Sequence, residues 1–269
     1  MNPYTHALFF DIDGTLVSFK THTIPASTIE ALRRAKQAGA GVFIATGRPR
    51  SIIDNIASIE PLIDGYITIN GGYCYVGERV ICCHPIPEPD IRAAIEEINR
   101  RQLACIVVGQ TDSAVLNCQP IVERIFVRDL NVTKINFKRS VADLLAAEPI
   151  MQLSLFTSSD VEQEIMARMP ESISGRWHPE FTDITAARAN KGEGLRTMAE
   201  TMGLELSRTI AFGDGGNDLS IIRAAGIGVA MGNANAELIA AADYVTDSVD
   251  DHGIARALIR LGVIDEFAL

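Results

Sequence analysis

The sequence predicts an α/β protein: a Rossmann-like, doubly wound parallel sheet built from the two ends of the chain, with an α+β segment inserted between them. Three observations carry this expectation. Short continuous apolar runs alternate with helical patterns over residues 7–72 and again from residue 209 onward, the pattern of strands buried on both faces in a parallel sheet. Those runs end in clusters of Gly, Asp, Thr and Asn, the residues found where open α/β sheets bind ligands. Between the two ends, residues 83–187 read differently, with alternating strands and hairpin-like pairs.

Taken in order, 7–10 is a first strand that stops at the turn Asp11-Ile12-Asp13-Gly14. Residues 25–38 give a helix: Ile29, Leu32, Ala35 and Ala38 recur at helical spacing, Pro25 suits its first turn and Gly39 its stop. A second strand over 41–45 ends at Thr46-Gly47-Arg48-Pro49, another helix follows, and a third strand over 66–70 closes at Gly71-Gly72. This βαβαβ order implies parallel strands with right-handed crossovers. At the far end, strands at 209–212, 227–231 and 244–246 alternate with helices. In the middle, the spacing predicts strands at 134–138 and 152–156, hairpins at 105–117 and 174–185, and helices at 89–101, 141–147 and 161–169. The expected division is a core of residues 1–82 and 188–269 and an inserted cap of residues 83–187.

Composition narrows the function. The 269 residues are 47% hydrophobic and 22% charged, values of an ordinary globular chain. Asp plus Glu (34) outnumber Lys plus Arg (24), giving a net charge of −10, so no basic footprint for nucleic acid is present and anionic lipid would repel the surface. No apolar run approaches the roughly 18 residues of a spanning helix. The first ten residues lack a basic and apolar leader, and the expected location is the cytoplasm. The five cysteines follow no metal or redox spacing; Cys82-Cys83 could be a redox pair, although two small apolar residues in a buried strand is the simpler reading. Asn131-Val132-Thr133 fits a glycosylation sequon and is read as plain sequence.

Four elements carry chemistry. Asp11 and Asp13, two apart on an extended strand end, point into one crevice, though Asp and Gly also make ordinary turns. Thr46-Gly47-Arg48 offers a hydroxyl and backbone N–H groups suited to phosphate oxygens, or only a turn. Lys191 opens a helix, where a cation opposes the dipole unless an anion accompanies it. The run from Gly213 to Asp218 holds three glycines and two carboxylates between a strand and a helix. One glycine and one cap residue, Asn217 or Asp218, would make that connection. The surplus suits a ligand, and carboxylates on such a loop suit a hard divalent cation such as Mg²⁺.

In this order, and each at a strand end or helix start, the four elements resemble the haloacid dehalogenase superfamily of phosphohydrolases. Asp11-Ile12-Asp13-Gly14-Thr15-Leu16 matches its first motif, Thr46 stands for the second, Lys191 for the third, and Gly213-Asp214-x-x-Asn217-Asp218 for the fourth. The runs from Val229 to Ala234 and from Ala242 to Thr246 look like its Cof-type branch, which carries a large type 2 (C2B) cap between motifs two and three. The branch often has Met where this chain has Ile221-Ile222, a difference expected to alter packing only.

The resemblance implies a phosphatase acting on a small phosphorylated metabolite. Asp11 would be the nucleophile forming an aspartyl-phosphate and Asp13 the general acid and base. Mg²⁺ would be held by Asp11, Asp214 and the carbonyl of Asp13. Thr46, the Gly47 amide, Lys191 and Asn217 would hold phosphate oxygens, and Asp218 would orient Lys191 or a metal-bound water. Charge supports this: dianionic phosphate with Asp11 and Asp214 is nearly balanced by Mg²⁺ and Lys191. Sugar phosphates are the expected substrates, with phosphorylated cofactors next. Arg48, the Asn70-Gly71 turn, Trp177-His178 and Asp183 are candidates to reach the rest of the substrate. A dehalogenase would not require the acid Asp13, and a receiver domain would lack both the cap and the run from Gly213. A phosphomutase or phosphotransferase on the same core, or a non-catalytic binder of a phosphorylated ligand, are the remaining alternatives.

Overall fold

An uninterrupted Ala-Leu-Phe-Phe leaves β1 (Ala7–Phe10) stable only inside a sheet covered on both faces, and all four residues are buried. The computed structural model, which describes residues 4–53, 55–130, 132 and 134–269, sets β1 at the centre of eight strands. The chain continues through α1 (Ala26–Gln37), β2 (Gly41–Ala45) and β3 (Gly65–Thr68), then turns back through β4 (Tyr73–Val76) and β5 (Arg79–Cys83).

The inserted unit follows. It holds α2 (Glu88–Arg101), β6 (Cys105–Gly109), β7 (Ser113–Leu116), α3 (Pro120–Val122), a π-helical turn over Glu123–Asp129, α4 (Val141–Ala147), β8 (Ile150–Phe156), α5 (Ser159–Met166), β9 (Ser172–His178) and β10 (Phe181–Ala186). The chain returns to the first sheet through α6 (Lys191–Met202), β11 (Thr209–Gly213), α7 (Leu219–Ala224), β12 (Ile227–Ala230), α8 (Ala236–Ala241), β13 (Tyr244–Val245) and α9 (Gly253–Arg260).

The first sheet runs β13-β12-β11-β1-β2-β3-β4-β5, parallel from β13 to β3 and antiparallel at β4 and β5. From β1 the chain winds outward through β2 and β3, and later in the opposite direction through β11, β12 and β13. The order therefore reverses between β1 and β11, where such sheets open a crevice at their carboxyl ends. Paired residues lock this centre: Phe9 stacks on Phe43 of β2 at 4.8 Å and Phe10 on Phe212 of β11 at 4.7 Å. The Phe9 face packs Leu195, Met198 and Ala199 of α6 with Ile221 and Ile222 of α7.

The chain forms two compact units. One is Met1–Gly47, Asn55–Cys83 and Asn190–Leu269; the other is Arg48–Asp54 and His84–Ala189. The second unit has an antiparallel sheet in the order β7-β6-β8-β10-β9. Residues 48–54 group with it, contrary to the expected boundary, because Ile52 is buried against Ala104, Ile106, Phe126 and Phe181 of that unit.

Three further expectations need correction. Among the described residues, no α-helix follows Pro49; two 3₁₀ turns, Arg50–Ile52 and Glu60–Leu62, take its place. Residues 134–138 form no strand, because the Asn136 side chain accepts the amides of Lys138 and Arg139 at 3.1 and 3.2 Å and curls the chain into a turn. The hairpin of β4 and β5 extends the sheet unannounced, and β5 is its edge strand, so Cys82 and Cys83 are half-buried rather than enclosed. Asn131 and Thr133 of the sequon lie outside the described residues, as does the side chain of Trp177. No helix among the described residues is long and apolar enough to cross a membrane.

In the inserted unit, Glu97 on α2 gathers three guanidinium groups, from Arg100, Arg101 and Arg168. Arg100 and then Arg101 and Arg168 hold its carboxyl down at about 2, against an ordinary 4.5. A carboxyl depressed in the folded state stabilises above its unfolded value, and that contribution is lost as pH falls through the folded one. Glu97→Gln is therefore expected to lower the urea midpoint at neutral pH. It should also remove the part of the acid-induced decline that the parent shows between pH 4.5 and about 2.

Candidate active site

The site assembles where β1, β2 and β11 end and α6 begins. Asp11 follows β1, and its amide donates to the carbonyl of Phe212 on β11 at 3.1 Å, so the two strand ends leave the sheet together. Gly14 then turns the chain at φ +80°, a conformation that favours glycine. A Cβ there would also stand 2.3 Å from Oδ2 of Asp214, so the turn needs glycine for space as well as for shape.

Lys191 is the first residue of α6, capped by Asn190, whose side chain accepts the Glu193 amide at 3.1 Å. It is 1% exposed, and its Nζ donates to Oδ1 of Asp11 at 2.8 Å and to Oδ1 of Asp218 at 2.6 Å. The anion that a cation at a helix start calls for is thus a pair of carboxylates. Asp218, fully buried, spends its other oxygen on the amides of Asp214 and Gly215, at 3.1 and 3.0 Å. One side chain therefore shapes the loop after β11 and aims the lysine.

Electrostatics at the site are dominated by surplus negative charge. Carboxylate oxygens of Asp11, Asp214 and Asp218 lie within 4.8 Å of one another. Burial pushes Asp11 well above the usual carboxylate range; Lys191 opposes this, while Asp218, Asp13 and Asp214 add to it. Asp214 is pushed up to about 7 by burial and then by Asp218, although the Thr15 hydroxyl donates to it at 3.2 Å. Three clustered carboxylates beside one ammonium, with the charge of Asp13 close by, form a hard-oxygen donor set short of positive charge, and this fits a divalent cation such as Mg²⁺.

Phosphate-type candidates stand alongside. Thr46, 1% exposed, receives the Asn70 amide on its carbonyl at 3.1 Å. Gly47 faces Asn70 and Asn217, and Nδ2 of the exposed Asn217 donates to Oδ1 of Asn70 at 3.1 Å. The turn that carries Asn70 has three successive residues at positive φ: Ile69 at 54°, Asn70 at 50° and Gly71 at 92°. A β-branched residue in that region is strained. Gly71 lies so close to Asn190 that a Cβ would stand 2.1 Å from its carbonyl oxygen.

Asp11, Asp13, Thr46, Gly47, Lys191, Asp214, Asn217 and Asp218 thus all lie in the first unit. Arg48 belongs to the second, and its guanidinium donates to the Ile52 carbonyl at 3.5 Å. His178 accepts the Glu180 amide at 3.2 Å and stacks on Phe181, and Asp183 accepts the Ser154 hydroxyl, so both are engaged within their own sheet. Sequence reasoning gave no role to Thr15, to Asn70 as partner of Asn217, or to Asn233, whose amide donates to the Gly14 carbonyl at 2.8 Å. Thr15 and Asn233 lie in motif runs and Asn70 in the turn with Gly71, which was the available signal.

The profile of haloacid dehalogenase-like hydrolases matches residues 8–258. The chain is 34% identical to "Putative phosphatase YkrA" of Bacillus subtilis (strain 168), over 96% of this chain and 98% of that one. It is 30% identical to the pyridoxal phosphate phosphatase YbhA of Escherichia coli (strain K12), over 91% and 96%. The solved structure of BT4131, a sugar phosphatase of subclass IIB, superposes with a TM-score of 0.88 at 44% identity, covering 96% of this chain and all of that one. The chain belongs to the haloacid dehalogenase-like hydrolases, and it is a phosphatase of small phosphorylated substrates.

Gly71→Ala should lower stability by about 1–3 kcal/mol or more, because the turn and the start of α6 must part; the readout is the urea midpoint at unchanged m-value. An acid raised in the folded state keeps a proton that the unfolded chain has lost, so stability falls as pH rises between the two values. With divalent cations chelated, Asp214 should make the parent lose stability as pH rises from 3.8 to about 7. Lys191→Met should deepen that loss and extend it to higher pH.

Proposed function

We propose that this haloacid dehalogenase-like hydrolase is a Mg²⁺-dependent phosphatase working through an aspartyl-phosphate on Asp11, with sugar phosphates as its preferred substrates. The observation that carries this reading is the buried Lys191 ammonium bridging Asp11 and Asp218 beside Asp214. Such an arrangement leaves a nucleophile-grade carboxylate oriented and partly neutralised, at the strand ends where a dianion would enter.

The side chains of Asp11 and Asp214 and the main-chain carbonyl of Asp13 would hold Mg²⁺. Both oxygens of Asp218 already have partners, which favours a positioning role for it over direct ligation. When bound, the cation would offset the repulsion between these carboxylates and the incoming phosphate.

The chain's own residues would then act in two steps. Lys191, the Thr46 hydroxyl, the Gly47 amide and the Asn217 amide would hold the phosphate oxygens, fixing phosphorus in front of Asp11. A carboxylate oxygen of Asp11 attacks phosphorus as the bond to the leaving oxygen breaks, and Asp13 gives that oxygen its proton. Asp13, now a base, takes a proton from water as it attacks the acyl phosphate, returning Asp11 and releasing inorganic phosphate. The charge of Asp13 acts on both Asp11 and Asp214, which supports this role. The inserted unit is assigned the choice of leaving group. A sugar is favoured by the likeness to the sugar phosphatase BT4131, and pyridoxal phosphate is the next candidate by the likeness to YbhA.

The test is phosphate release from p-nitrophenyl phosphate, with and without Mg²⁺. The parent is expected to be active only with the metal, and Asp11→Asn to fall to background while still unfolding in one cooperative transition. Asp13→Asn should lose about 10²–10⁴-fold on a sugar phosphate. On p-nitrophenyl phosphate it should lose less, because that leaving group needs little protonation. Equal release by the parent and Asp11→Asn would overturn the mechanism. A panel of sugar phosphates against pyridoxal phosphate then decides the substrate class.

A further inference from the structure

Cys82 and Cys83 are neighbours in sequence, but they do not face each other, because successive residues of a strand leave opposite faces. The structure gives Cys82 a different companion. In the antiparallel pairing of β4 with β5, Cys74 lies directly opposite Cys82. Directly opposed residues in a regular ladder have Cα atoms about 4.5–5.5 Å apart, within the span a disulfide bridges, and here the register slips only beyond the pair, between Cys74 and Tyr75. Cys74 is buried and Cys82, on the edge strand, is half-buried, so Cys82 is the less enclosed of the two.

Both sulfurs converge on one acceptor. Sγ of Cys74 lies 3.9 Å and Sγ of Cys82 3.6 Å from the carbonyl oxygen of Gly71. The closeness of the two thiols lowers Cys82 and, together with burial, raises Cys74. The remaining thiols are placed differently: Cys83 is raised by burial and by Cys82, Cys105 is enclosed in the other unit and raised by burial, and Cys118 is exposed there.

We infer that Cys74 and Cys82 form a redox-active dithiol that low-molecular-weight disulfides oxidise, and that closing it loosens the turn of residues 69–71. The Cys82 thiolate attacks one sulfur of the small disulfide, forming a mixed disulfide and releasing one small thiolate. Cys74 gives up its proton and attacks the Cys82 sulfur, and the second small thiol leaves. Two protein thiols become one disulfide, and the small disulfide takes up both electrons and both protons as two thiols.

The consequence lies at Gly71. Its carbonyl loses both sulfur donors, at the end of a turn where Ile69, Asn70 and Gly71 all hold positive φ. That turn presents Asn70 to Asn217 and abuts Asn190 at the start of α6. A strained turn that loses its fastening opens more often.

The experiment treats the full chain with oxidised glutathione, quenches in denaturant with N-ethylmaleimide and maps the peptides by mass spectrometry. The expected product is a linked pair containing Cys74 and Cys82, short by two hydrogens and restored by dithiothreitol. It should form in Cys83→Ser and be absent from Cys82→Ser. Amide hydrogen exchange over residues 69–72 and 190–194 should quicken by about tenfold on oxidation in the parent and stay unchanged in Cys82→Ser. Alkylation of Cys74 throughout, a mixed disulfide that persists on Cys82, or a bond from Cys82 to Cys83 or Cys118 would overturn the pairing. A disulfide formed with exchange unaltered would overturn its link to the turn. Neither readout uses phosphate release, so both stand apart from the phosphatase reading.

Discussion

A buried ammonium between two carboxylates organises this molecule's site. Lys191 is almost wholly enclosed, and an isolated cation there would be strongly penalised. Its contacts with Asp11 and Asp218 remove that penalty and, in doing so, fix three separate segments in one place. The end of β1 is held through Asp11, the start of α6 through Lys191, and the loop after β11 through Asp218, which also takes two backbone amides of that loop. Each support has a support of its own. Asn190 caps the helix, Gly71 lets the neighbouring turn approach it, and the strand pairing of β1 with β11 brings the two acidic loops side by side.

The same cluster is poorly balanced by itself. Asp11, Asp13, Asp214 and Asp218 exceed what one lysine neutralises, and the upward displacement of Asp11 and Asp214 is the measure of it. A protein built only for stability would replace such a group with apolar packing. Retaining it, with a strained turn at Ile69 and a glycine at position 14 that admits Asp214, suits a site whose missing charge arrives with its ligands. The surrounding sheet tolerates the cost because its centre is stacked aromatic and aliphatic packing, from Phe9 and Phe43 to Phe10 and Phe212.

Legibility followed the range of the interactions concerned. The motif runs at Asp11, Thr46, Lys191 and Gly213 were readable because each joins a short apolar strand or a helix start to residues unusual for a mere connection. Elements decided by competition were not. At 134–138 the apolar alternation suggested a strand, but the Asn136 carboxamide captured two nearby amides first. After Pro49 the helical pattern gave way to 3₁₀ turns, with Ile52 buried in a cluster whose other members lie some fifty or more residues further along the chain. Arg48, next in sequence after Gly47, belongs to the other unit.

By itself the sequence determined the alternating strand–helix core, the inserted α+β segment, and the identity of the acidic, hydroxyl and lysine groups at the strand ends. These depend on periodicity and on residue chemistry, which are local properties of the chain. Only the tertiary structure decided that Lys191 answers to Asp218 as well as Asp11, that Asn70 holds Asn217, and that Cys82 faces Cys74 and not Cys83. Those partners are 27, 180, 147 and 8 residues apart, and pairing across such gaps is set by strand order and register, which no local pattern encodes.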